Sequence, residues 1–324
     1  MATTLHSNLK IRDEYFKTAA MEGVAQAVDG ISEGTRGGIV LDSEMLKGFY
    51  KYDDYFAFSD IVSRRDLTSV SAATAIAPAE DEEVSVKLFR KIGPIDMTLG
   101  GIKTKGYSDE EISRMLGEAH ANQKIGDMLN GALAAADAAL TGHASLEHDY
   151  SGTGTLTHGQ VNVGNAKMGD RSGQIVSYAV HSKVYHDVVG QAMTDKITDV
   201  ANVAIRDGGT FFLGRSVLVT DDAALFDANG SLTDTYNTLG LVPGGVRITE
   251  SEDEIVAVEI VTGLEQLVMR YQAEFAFNLT LKGFRWDVAN GGSNPDDATL
   301  ATQTNWDQHA TSIKDCFGIR IITQ

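Results

Sequence analysis

One run of residues sets the scale of anything this chain can fold into. Ser108-Asp109-Glu110-Glu111 forms a capping box, with the serine hydroxyl placed for the Glu111 amide and the Glu111 carboxylate for the Ser108 amide. The spacing that follows predicts a helix to about Leu140, ended near Gly142. At ~1.5 Å per residue it is a rod of roughly 48 Å, against a mean of about 11 residues for globular helices. Its apolar stripe begins as Ile112, Met115, Leu116 and Ala119, is interrupted by Asn122 and Gln123, and resumes about a quarter turn away as Met128, Leu129, Ala132, Leu133 and Ala136. The two halves are expected to meet different neighbours, with the helix as a spine for other elements.

Before the spine the pattern is looser. Residues 1 to about 40 are polar and weakly periodic, with Gly30, Gly34, Gly37 and Gly38 breaking any helix, and read as an arm that a partner must order. Met45, Leu46, Phe49, Tyr52 and Phe56 recur at helical spacing and predict a short helix over Asp42–Phe56. Val62–Val70 and Val84–Ile92 read as the strands of a hairpin joined by the small-residue stretch Ser71–Glu83. In the second strand Val84, Val86, Leu88 and Ile92 share one face, opposed by Ser85, Lys87 and Lys91. With arms of ~14 residues at ~3.3 Å each, such a ribbon extends roughly 45 Å and needs a neighbour to bury its apolar face. Glu80, Asp81, Glu82 and Glu83 would sit at its tip, and Arg64, Arg65, Lys87, Arg90 and Lys91 along its base and return strand. This segregation suits a hairpin lying across another subunit, and these are the candidate inter-subunit contacts.

After the spine, 143–170 reads as loop. A strand at Ile175–Val180, a helix opened by Ser182 and running to about Met193, and a strand at Val217–Thr220 follow. From Tyr271 to Leu281 apolar and polar residues alternate, a long strand with one buried face, expected to pair with Ile255–Val261 or lie along the spine. Asp287–Asn305 is turn-rich, and Gly318–Thr323 closes the chain as a strand. The class is α+β.

Composition narrows the functions. At 324 residues and 43% hydrophobic content the chain can bury a large core without staples. One cysteine, Cys316, excludes an internal disulfide framework and fits a reducing compartment. The opening Met1–Asn8 has no basic stretch leading into an apolar run, and no window reaches ~18 continuous apolar residues, so a soluble cytosolic protein is expected. A net charge of −18, spread along the chain, opposes sequence-specific nucleic-acid binding.

Catalytic constellations fail on spacing. His143, Glu147, His148, Asp149 and His158 offer metal ligands within one loop, but at no zinc-site spacing and without visible supporting residues. Gly152-Thr153-Gly154-Thr155-Leu156-Thr157-His158-Gly159 approaches a dinucleotide loop, yet its third glycine is misplaced and no helix pattern begins there. Asp287-Val288-Ala289-Asn290-Gly291-Gly292 lacks the order of a calcium loop and reads as a turn. There is no G-x-S-x-G elbow, and Cys316 has no activating histidine pattern and reads as a small core residue. No cofactor or metal is expected.

Taken in order, arm, hairpin, capped spine, α/β middle and long returning strand lead to Gly283-Phe284-Arg285-Trp286-Asp287-Val288-Ala289-Asn290-Gly291-Gly292. Asn294-Pro295, Asn305-Trp306-Asp307 and Lys314-Asp315 then run into Gly318-Ile319-Arg320-Ile321-Ile322-Thr323-Gln324. With Gly214-Arg215-Ser216-Val217-Leu218-Val219-Thr220-Asp221-Asp222, this series resembles tailed-bacteriophage major capsid proteins over essentially the whole chain. The resemblance implies the Hong Kong 97-type fold, with an N-terminal arm over 1–59, an extended loop over 60–94, a peripheral domain over 95–171 and 263–302, and an axial domain over 172–262 and 303–324. It implies a structural, non-enzymatic subunit assembling as hexamers and pentamers into an icosahedral head around double-stranded DNA, in the bacterial host cytoplasm. A separate scaffolding protein is implied because the helical scaffolding segment that opens some relatives is not found here; a portal protein and a decoration protein are further implied partners. The lysine–asparagine cross-link of other relatives aligns with no residues of this chain. Two other readings remain at this point: an encapsulin-type shell of the same fold, and a metal-dependent enzyme using His143, His148 and His158.

Overall fold

A computed structural model describes residues 13–57, 79–199, 211–228 and 233–324, with scattered positions between 61 and 75. Helix α1 (Asp13–Gly34) leads through β1 (Ile39–Ser43) into β2 (Tyr50–Ala57) and β3 (Ala79–Thr98). Then come α2 (Leu99–Lys105), α3 (Asp109–Leu140), β4 (Glu147–Asp149), α4 (His158–Ala166), β5 (Ser177–Val180), α5 (Ser182–Asp199), β6 (Ser216–Val219), β7 (Phe226–Asp227) and β8 (Thr235–Leu241). The chain closes with β9 (Val246–Glu250), β10 (Ile255–Val261), β11 (Val268–Leu281), β12 (Phe284–Trp286), β13 (Trp306–Gln308) and β14 (Gly318–Thr323), with two four-residue helices between β12 and β13. Among the described residues the strands make two sheets. The first runs β1-β9-β11-β12-β13, with β10 and β3 also on β11 and β2 on β3; the second runs β4-β14-β8-β5-β6, with β7 on β8.

The spine forms where its capping box places it: the Glu111 amide donates to Ser108 Oγ at 3.2 Å and the Ser108 amide to Glu111 Oε2 at 2.9 Å. Its two halves do meet different neighbours. Leu116 packs with Phe16, Tyr271 and Ala273, and Ile112 with Leu99, Ile102 and Met269. The C-terminal half enters the main core, where Ala132, Leu133, Ala135, Ala136, Ala139 and Leu140 are buried among residues of both sheets. Alanines allow this, because a helix buried on every side must let two sheets approach its backbone. Met115 and Ala119, expected in the stripe, are exposed, and His120, Ala121 and Lys124 are buried in their place.

Four local readings change. The first is the glycine-broken arm, which is the 22-residue helix α1 packed against α3. Gly23 is a contact point, where a Cβ would lie 2.9 Å from Ala121 Cβ, as is Gly117 of α3, where one would lie 2.8 Å from the Phe16 carbonyl; Gly30 and Gly34 sit within α1 with open space at the Cβ position. The second is the helix expected over Asp42–Phe56, which is strand at both ends; Tyr50, Tyr52 and Phe56 fit period two as well as the helical series fits 3.6.

The third concerns the hairpin. Its first arm is β2, not Val62–Val70, and Val62, Arg64, Arg65, Leu67 and Thr68 lie in no strand. The rest of Val62–Val70 and much of the Ser71–Glu83 connection lie outside the described residues. Its second arm starts at Ala79, so Glu80–Glu83 are not a tip: they pair with Phe56, Tyr55, Asp54 and Asp53 in turn. β3 is buried on both faces from Val84 to Leu88, a stretch paired with β2 at Val84–Val86 and with β11 from Val86 onward. Ser85, expected toward solvent, instead accepts from Asn278 Nδ2 at 3.2 Å. The fourth is the loop of 143–170, which holds β4, paired parallel to β14, and α4, whose start is capped by Thr157 accepting from the Gln160 amide. A helix therefore does begin within the Gly152–Gly159 stretch, at His158.

β11 pairs with β10 as its alternation implies, but only its first part has one buried face; Phe275 to Leu279 are buried on both.

The packing of α1 on α3 gives a paired test. A helix-interior Gly→Ala change ordinarily stabilises by about 1 kcal/mol. Gly126→Ala, with open space at its Cβ, should raise the thermal midpoint, whereas Gly117→Ala should lower it and expose α1 to limited proteolysis. Equal gains for both variants would show that α1 does not depend on close approach.

Candidate assembly surface

Of the residues with catalytic potential, His143, Glu147, His148 and Asp149 have partners of their own, and His158 opens α4. His148 Nε2 lies 2.7 Å from Gln160 Oε1, Glu147 accepts from Arg320 Nη1 at 2.8 Å and from the Gly142 amide at 3.1 Å, and His143 meets the Phe284 ring edge-on. Hydrogen bonds from the Ser151 hydroxyl and amide hold the Asp149 carboxyl below its ordinary range. Among the described residues no three His, Cys, Asp or Glu side chains converge to hold a metal ion. Cys316 is buried, and burial pushes its thiol up to about 11, so it stays protonated at neutral pH.

The proposed contact residues divide into two groups. Lys87 is 1% exposed and tied inside its own subunit, its ammonium donating to the Leu46 carbonyl at 2.9 Å and to Glu252 at 2.6 Å. Arg90 likewise reaches Asp127 and Asp297. Asp81 lies 3.4 Å from His309 Nδ1 and 3.9 Å from Arg285, and Glu83 on the same side of β3 is half-buried, its carboxyl raised by burial. Glu80, Glu82, Lys91, Arg64 and Arg65 are exposed.

Glu80 and Glu82 share their face with Phe56 and Asp54, which stand directly opposite them, and with Tyr52. Tyr52 and Phe56 are 52% and 58% exposed. Asp54 opposite Glu82 sets like charges across a strand pair, which is destabilising within one subunit. The result is an acidic face with two bare aromatics, on a stretch of β3 that pairs only with β2 among the described residues. Asp54 escapes a sequence reading because its meaning depends on register; the exposed aromatics were visible but assigned to a helix.

The Gp13-like family, described as major capsid protein 13-like, matches residues 8–320. The chain belongs to this family. Similar folds occur in the capsid of cyanophage P-SCSP1u (13% identity, 89% of this chain and 87% of that one, TM-score 0.51) and in that of cyanophage Pam1 (10% identity, 85% of each chain, TM-score 0.53). The capsid of Ralstonia phage GP4 gives 10% identity over 88% of this chain and 87% of that one, with a TM-score of 0.51. No curated protein matches the chain.

A major capsid protein of tailed phages is structural and not an enzyme, so its working surface is the one that meets other copies. Buried charges hold the β2–β3 ribbon in place in this capsid protein. Lys124 of α3, 4% exposed at its side chain, pairs with Glu250 and, at 3.1 Å, with Glu254. One turn earlier His120 sits between Tyr271 Oη and Glu254 Oε1, each at 2.7 Å. The spine is thereby locked to the β9–β10 corner, from which Glu252 reaches Lys87 of the ribbon.

Burial alone would raise the Glu254 carboxyl; the hydrogen bond from His120 and the charge of Lys124 outweigh it and leave the group below its ordinary value. A lowered carboxylate stabilises the fold above its unfolded value of 4.5, and that contribution is lost as pH falls through the folded value. Glu254→Gln should therefore unfold at a lower temperature than the native chain at neutral pH, with the gap narrowing as pH drops below 4.5. A gap independent of pH in thermal melts would count against this account.

Proposed function

We propose that this capsid protein assembles as hexamers and pentamers into a closed icosahedral head that encloses double-stranded DNA in the host cytoplasm. The observation that carries the reading is the β2–β3 ribbon, whose acidic and aromatic face is unfavourable in a lone subunit and is relieved by a basic surface on a neighbour. Arg64, Arg65 and Lys91 are the exposed members of the basic set and the proposed counterpart.

On this reading the ribbon is the extended loop, α1 belongs to the N-terminal arm, the first sheet with the spine is the peripheral domain, and the second sheet is the axial domain. The division at 262 then moves to about 245, since β9 and β10 pair in the first sheet, and β13 goes to the peripheral domain while β4 goes to the axial one. A scaffolding protein, a portal protein and a decoration protein are partners that the family resemblance supplies.

Negative-stain microscopy of the purified chain should show closed particles; a stable monomer under all conditions would overturn the shell reading. Glu80→Lys with Glu82→Lys should leave circular dichroism unchanged while lowering the yield of closed shells. Each exposed pair is worth only ~0–1 kcal/mol, but a shell repeats it in every subunit. Undiminished assembly of the double variant at low salt would show that the ribbon face is only solvated.

A further inference from the structure

β10 is an edge strand with the composition of an interior one. Among the described residues it pairs with β11 alone, and its sequence Ile-Val-Ala-Val-Glu-Ile-Val carries none of the lysines, prolines or bulges that usually protect a free edge. The register against β11 sorts its side chains. Val256, Val258 and Ile260 stand beside Ala273, Tyr271 and Met269, which are buried under α3 and α1, so they continue a buried row. They remain 37–39% exposed because the row runs out past the helices.

The strand is also nearly symmetric about its middle residue. A two-fold axis perpendicular to the sheet keeps each side chain on its own face, so antiparallel pairing of this strand with itself must be centred on a residue. Centred on Val258, it sets Val256 opposite Ile260, Val258 opposite Val258, and Ile255 opposite Val261, each across the two copies. The single charge, Glu259, then faces Ala257 of the other copy and keeps Arg270 as its neighbour on β11. A centre at Glu259 would oppose two carboxylates, and a centre at Ala257 would leave Ile260 and Val261 unmatched.

We infer that β10 pairs antiparallel with β10 of a second copy about a two-fold axis at Val258, joining the first sheets of two subunits into one continuous sheet. The contact rests on the reading that the chain forms shells with copies of itself, and it is separate from the ribbon face. It buries the exposed apolar row and satisfies the free backbone edge in a single step.

Cysteine cross-linking tests it. The native Cys316 is buried and is the chain's one cysteine, so an introduced thiol reports alone. Val258→Cys places two thiols directly opposite, at about 4.5–5.5 Å between Cα atoms, inside the disulfide range. Ala257→Cys places them on a diagonal at about 7–8 Å, outside that range. Particles of the Val258→Cys chain, mildly oxidised and run on a non-reducing gel, should shift from monomer to dimer, while Ala257→Cys particles stay monomeric. As an orthogonal pair, Val258→Lys opposes like charges and should reduce shell yield, whereas Ala257→Lys meets Glu259 of the other copy and should not. Shells in which Val258→Cys stays monomeric, or in which both cysteine variants cross-link alike, overturn the pairing. Absence of particles from the unmodified chain overturns the shell reading itself.

Discussion

The guanidinium of Arg320 fixes the spine helix to the second sheet, and most of the structure follows from where that helix lies. Its Nε and Nη2 donate to the two carboxylate oxygens of Asp137 at 2.7 and 3.1 Å, and the third nitrogen reaches Glu147 on β4. Burial pushes Asp137 up to about 6, against the pull of the guanidinium, so it remains ionised at neutral pH beside its partner. About 20 Å back along the same helix, Lys124 grips the β9–β10 corner of the first sheet. Two buried ion pairs of opposite polarity thus pin one rigid rod to two sheets. Removing one partner of such a pair leaves an uncompensated charge and costs about 3–5 kcal/mol, so the pairs define register even where apolar packing alone would tolerate a slide.

The spine was legible because capping chemistry and length are local properties. The charges that fix it were legible too, had the stripe been followed through them: His120 and Lys124 fall at i+4 steps from Leu116, and Asp137 stands between Leu133 and Leu140. A charged residue at a core position announces a buried partner, but the sequence does not say which. Strands buried on both faces resist reading by alternation, which is why β3 looked half-solvated and Lys87 looked free.

Glycine misled in a different way. At Gly23 of α1 and Gly117 of α3 its lack of a side chain serves helix–helix approach, while Gly30 and Gly34 are simply tolerated in α1, and nothing in a single sequence separates those cases from helix breaking. The ribbon was found but paired with the wrong arm, since Tyr52 and Phe56 satisfy two periods at once. The acidic face that results depends on register, and register is a property of two strands rather than one.

Two kinds of unfinished surface therefore coexist on this subunit, and they respond to conditions in opposite senses. The ribbon face is electrostatic: its like charges and any basic counterpart are screened as the Debye length falls from about 10 Å at 0.1 M salt to about 3 Å at 1 M. The β10 row is apolar, and salts excluded from protein surfaces strengthen its burial. Neither demands that the buried ion pairs of the spine rearrange, so the subunit can meet its neighbours as a preformed body. With the interior rigid and each surface contact weak by itself, a wrongly placed copy can dissociate and rebind, and a closed shell accumulates through the number of contacts rather than the strength of any one.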